Sequence, residues 1–127
     1  MIRTLPQLHA RLLTNERGDP IFVESKGRKH YRIQFEVKDA PKDAYAATFE
    51  LDPKTYYDPT RTLAPDDAGN FVLSTTTYGD YPVSVQLRTK EGVVPLVSSV
   101  KEALEKSRAQ MGSSPEVDTA IDYIAHN

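Results

Sequence analysis

The run His30-Tyr31-Arg32-Ile33-Gln34-Phe35-Glu36-Val37-Lys38 constrains the fold more than any other stretch. Tyr31, Ile33, Phe35 and Val37 fall on one side of an extended chain, and Arg32, Gln34, Glu36 and Lys38 on the other. A period of two held this long fits a half-buried β-strand. The same alternation recurs downstream. Ala47, Phe49 and Leu51 oppose Thr48 and Glu50; Phe71, Leu73 and Thr75 oppose Val72 and Ser74; Val83, Val85 and Leu87 oppose Ser84, Gln86 and Arg88. Tyr31, Ile33, Phe35, Phe49, Leu51, Phe71, Leu73, Val83, Val85 and Leu87 are therefore the expected inward residues.

Turn chemistry separates these runs. Lys90-Glu91-Gly92 reads as a tight hairpin turn, after which Val93–Val97 returns as a strand. Pro95 has no amide proton for a ladder, which predicts an edge position. Ser25–Lys29 reads as an exposed turn, and Asn15–Pro20 as another, closed by the short apolar run Ile21-Phe22-Val23. Asp66-Asp67-Ala68-Gly69-Asn70 reads as a polar turn, because it lacks the alternating acids and final glutamate of a calcium loop. The first residues fit two patterns: Leu5, Leu8 and Leu12 suit a helix, whereas Leu8, Ala10 and Leu12 suit a strand. About seven strands at this spacing predict an all-β sandwich rather than an α/β fold.

The tail changes period. Ala103, Leu104 and Met111 have helical spacing, and Gly112 is placed to end that helix in a left-handed conformation. Ser114 before Pro115 and Glu116 is an N-cap with proline at the first helical position. Val117, Ala120, Ile121 and Ile124 then form one apolar stripe, which predicts a helix over 115–125. The expected organisation is a sandwich over 1–99 and a helical tail over 100–127.

Composition narrows the function classes. The chain has 127 residues, one domain's length, and a net charge of −2, so composition signals no basic face for a phosphate backbone. It has no cysteine, which excludes thiolate metal sites and disulfides. Its three histidines, His9, His30 and His126, share no helical ligand spacing, so no metal site is expected. No apolar run has membrane-spanning length, and the opening residues do not resemble a secretory signal, which gives the cytoplasm as the expected location. No glycine-rich phosphate loop or nucleophile elbow occurs, so neither a cofactor nor catalysis is expected.

Tyrosine placement is the remaining signal. Tyr56 and Tyr57 lie in a proline-flanked loop, Asp52–Pro59, and Tyr78 in a second loop, Thr76–Asp80. Aromatic loops at one end of a sandwich can make a cleft for a flat group, or can cap the core.

From about His30 to Leu96 the chain resembles the YEATS family of binding modules, and its prokaryotic branch most. His30-Tyr31-Arg32-Ile33 opens the pattern, and Ala47-Thr48-Phe49-Glu50-Leu51-Asp52 matches the strand that ends near Leu-His. Thr55-Tyr56 matches the small hydroxyl and aromatic, and Pro59-Thr60-Arg61 the proline and basic residue. Thr76-Thr77-Tyr78-Gly79-Asp80-Tyr81 matches the second aromatic turn, with Val83-Ser84-Val85 after it. Three positions depart from the pattern: Asp52 replaces a histidine, Lys54 lengthens the first loop, and Thr77 replaces a small glycine.

The resemblance implies an immunoglobulin-like sandwich of about seven or eight strands. It also implies a ligand site at Asp52, Thr55, Tyr56, Thr77, Tyr78 and Gly79, where Tyr56 and Tyr78 would face each other across a slot. The implied ligand is an acylated-lysine peptide or a small molecule. Prokaryotic relatives resemble sensor or adaptor modules of signalling and defence systems. The alternative expectation is a structural adaptor that binds an effector protein through the tail or a sheet edge. Neither nucleic acid nor membrane is an expected partner.

Overall fold

In a computed structural model, residues 5–54, 58–111 and 114–127 are described. Their eight strands and two helices form an immunoglobulin-like β-sandwich with a helical tail: β1 (Gln7–Leu12), β2 (Phe22–Ser25), β3 (Arg28–Lys38), β4 (Ala46–Glu50), β5 (Thr60–Leu63), β6 (Phe71–Thr77), β7 (Pro82–Thr89), β8 (Gly92–Ser99), α1 (Val100–Met111) and α2 (Pro115–Ala125). All strand pairs are antiparallel.

The alternating run is β3, the spine of the first sheet. β6 pairs along one of its edges, from Tyr31↔Thr77 to Val37↔Phe71. β1 and β2 lie end to end along the other, pairing Gln7↔Lys38 to Leu12↔Ile33 and Phe22↔Tyr31 to Ser25↔Arg28. Residues 13–21 leave that edge as an excursion. Arg32 bridges its mouth, accepting from the Leu13 amide and donating to the Ile21 carbonyl, each at 2.9 Å. The first residues are thus strand, not helix. Leu8, Ala10 and Leu12 are buried, whereas Leu5 is exposed. Lys26 and Gly27 alone turn the β2–β3 hairpin, both at positive φ (54° and 77°), as a two-residue turn of this hand requires.

The second sheet runs β5-β4-β7-β8. β8 is an edge strand, as Pro95 predicts. The strand missing from the sequence reading is β5, whose Thr60, Arg61 and Thr62 are exposed and carry no apolar alternation.

All ten expected inward residues are buried. The helices share this core rather than hanging from it: Val100, Ala103, Leu104, Val117, Ala120, Ile121 and Ile124 belong to the same buried cluster. α1 lies along the β1 edge, where the Leu12 amide donates to the Met111 sulfur at 3.3 Å. α2 begins as its sequence indicates, with Ser114 Oγ accepting from the Val117 amide at 3.1 Å. The Tyr123 hydroxyl accepts from the Lys29 amide at 3.0 Å, and its ring meets Tyr31 edge-on at 5.8 Å. Gly112, the expected end of the first helix, lies outside the described residues.

No helix among the described residues is long and apolar enough to cross a membrane.

Candidate functional site

The second loop of the sequence reading connects β6 to β7. β6 alternation turns Thr77 inward, where it is buried. Its hydroxyl folds back on its own turn, donating to the Gly79 carbonyl at 2.6 Å and accepting from the Gly79 amide at 3.3 Å. This local bond competes with a continued ladder and fixes the corner. Tyr78 is consequently directed to the opposite side, half-buried.

The Tyr78 ring is already in contact with β3. The Arg28 guanidinium lies 4.5 Å from the ring centroid, and the His30 imidazole meets the ring edge-on at 5.3 Å. Both residues stand on the outer face of β3, two positions apart. Sequence reasoning missed them because nothing local links residues 28 and 30 to residue 78; only the β3–β6 register does.

The same corner is held by the tail. Asp80 Oδ1 accepts from the Lys101 amide at 2.9 Å, and the Tyr81 carbonyl from the Val100 amide at 3.1 Å, so the loop satisfies amides at the start of α1. Gly79 lies against Asn127, two residues beyond α2. A Cβ added there would stand 2.5 Å from the Asn127 carbonyl carbon and 2.7 Å from its oxygen. Glycine is needed here for close approach, not for its backbone angles.

Asp52 follows β4 at the start of the first loop, and its Oδ1 accepts from the Lys54 amide at 3.1 Å. A recess of about 130 Å³ brings Asp52 together with Thr77, Tyr78 and Gly79, and adds Asp80, Tyr81 and Asn127 to its lining. Thr55 and Tyr56, and with them the expected opposition of Tyr56 to Tyr78, lie outside the described residues.

This arrangement can hold a small polar group between carboxylates, backbone and a ring edge. Among the described residues no three histidine, aspartate or glutamate side chains stand together as metal ligands.

No family model matches the chain. No curated protein matches it either. Among solved structures it is similar to the Yaf9 YEATS domain recognising an H3K122suc peptide, at 15% identity and a TM-score of 0.48, over 76% of this chain and 75% of that one. It is also similar to the yeast AF-9 homolog protein Yaf9, at 14% identity and a TM-score of 0.46, over 90% of this chain and 91% of that one. At these identities and scores neither structure carries a residue role to this chain.

Proposed function

We propose that this domain is a non-catalytic, YEATS-like recognition module that senses a modified peptide or a small ligand at the β4–β5 and β6–β7 loops. In this reading it serves as a sensor or adaptor in a prokaryotic signalling or defence system, with an acylated-lysine peptide as the first ligand to test. The supporting observation is that Asp52, from the loop after β4, lines one recess with Thr77, Tyr78 and Gly79 of the β6–β7 loop. Its volume, about 130 Å³, suits the head of one side chain rather than a whole metabolite. Arg28 and His30 steady the Tyr78 ring, so less rotamer freedom is lost when a ligand packs on its remaining surface.

The test is a thermal-shift screen of acyl-lysine peptides and nucleotide metabolites, since a ligand of the native state raises stability by mass action. Tyr78→Ala and Tyr56→Ala are expected each to weaken binding of the hit by roughly 1–3 kcal/mol, the scale of an anchoring ring. Binding that survives both substitutions unchanged would place the ligand elsewhere.

A second reading, a structural adaptor, is favoured by one observation. Val93 and Val97 on edge strand β8 are 51% and 79% exposed. The apolar stripe of α2 is buried on the sandwich, so in the adaptor reading the β8 edge, not the tail, meets the partner.

A further inference from the structure

The outer face of the first sheet is strongly basic although the chain is acidic. Register puts Arg11 of β1 opposite Gln34, and Arg28, Arg32 and Lys38 on the same side of β3. Against these four cations the described strand residues of that face offer one carboxylate, Glu36, and Lys38 already pairs with it at 2.8 Å. The outer face of the second sheet is balanced, with Arg88 on β7 and Glu50 on β4. A net charge of −2 for the whole chain conceals this asymmetry.

Two of the cations, Arg11 and Arg28, are also held in place. Arg11 directs Nε and one terminal nitrogen at Gln34 Oε1, at 3.0 and 2.8 Å. Arg28 lies over the Tyr78 ring, its Cζ 4.5 Å from the centroid. Arg32 is exposed between them and makes no ion pair among the described residues. Alongside, α1 walls a groove of about 420 Å³ whose floor includes His9, Arg11, Gln34 and Lys38 and whose wall includes Gln110. The His9 pKa is lowered there, first by burial and then by Lys106 and Lys38, against the opposite pull of Glu36 and Asp39.

We propose that this face binds an extended acidic peptide segment with carboxylates at every second residue. Arg28, His30 and Arg32 follow one another at the strand's two-residue repeat, roughly 7 Å, which is also the repeat of same-side carboxylates on an extended partner. Single-stranded nucleic acid is the weaker match. It needs open aromatic faces for its bases, and Tyr78, which stands at this surface, already carries Arg28. The surface meets the recess at Tyr78, but Arg11 and Arg32 do not line that recess, and the proposal does not depend on the recess binding anything.

The experiment is fluorescence anisotropy with the full chain and a labelled decapeptide alternating glutamate and serine, beside a glutamine–serine control and a ten-nucleotide oligo-dT. Expected are saturable binding of the glutamate peptide alone, weakening as salt rises, and at least a tenfold loss for both Arg11→Glu and Arg32→Glu. Arg88→Glu makes the same charge change on the opposite face and should leave the affinity within twofold. The proposal falls if the glutamate peptide binds no better than the glutamine one, or if Arg88→Glu weakens it equally. It falls in favour of a nucleic-acid surface if oligo-dT binds more tightly than the peptide. Circular dichroism melting of each variant identifies any that fail to fold. Arg11→Gln and Arg32→Gln then replace them, with several-fold losses expected and unchanged affinity overturning the proposal.

Discussion

Gly79 shows how one absent carbon holds a corner together. Its position against the Asn127 backbone leaves no room for a methyl group, and backbone cannot swing aside as a side-chain tip can. Gly79→Ala should lower stability by roughly 1–3 kcal/mol, the range for overpacking, and should loosen the end of α2. Melting and amide exchange at His126 and Asn127 check this; an unchanged melt would mean that the contact yields freely. In the proposed recognition reading, Asp52 bears on specificity instead. A carboxylate there disfavours a neutral acyl chain, so Asp52→His should improve any weak acyl-lysine binding, measured by titration calorimetry. His9 sets a pH dependence. Its native pKa lies below the unfolded value near 6.5, so between the two the unfolded chain holds more protons. Stability should therefore fall as pH drops through 6.5 and level off once the native imidazole protonates. His9→Gln should shrink that fall in melting scans at pH 7.5 and 5.5. Tyr78 and Gly79 were legible as turn residues from sequence, but Arg28 on one side and Asn127 on the other were not. Those contacts are made by register and by the tail, neither of which local chemistry encodes.

Among the elements, the alternating strands were the most legible, because burial on one face writes a period directly into the chain. β3, β6 and β7 follow it, and β4 does so except at Thr48, which is buried beside Ala47 and Phe49. The helix α2 was equally readable, since Ser114, Pro115 and the Val117–Ile124 stripe point to one answer. β1 was ambiguous because leucines at residues 5, 8 and 12 also satisfy a helix; only the ladder to β3 decides. β5 was silent because its side chains face solvent at an edge. The apolar half of the β3 alternation identifies the strand. Its polar half concentrates charge that a whole-chain count averages away. Burial of the α2 stripe makes a prediction at this scale: Ile121→Ala should cost roughly 2–5 kcal/mol by denaturant titration, as for a core strand residue. A loss under 0.5 kcal/mol would mean that the helix is only loosely attached.

At the scale of the molecule, the helical tail completes the sandwich. Its buried residues join the same cluster as both sheets, and Arg108 ties the helices to each other through Asp118 at 2.8 Å. α1 covers the one edge of the first sheet that β1 would otherwise leave open. Synthesis imposes an order on this arrangement. The ribosome releases β1 well before α1, so while the chain is being made the β1 edge has backbone donors and acceptors but no cover. An uncovered strand edge is a template for pairing with another chain. A variant ending at Ser99 should thus fail by self-association rather than by simple loss of stability. Light scattering during refolding should rise with protein concentration for that variant and stay flat for the full chain. Adding the 100–127 segment as a separate peptide early in refolding should suppress the scattering, whereas late addition should not, because edge pairing between chains, once formed, leaves no edge for the helix to cover.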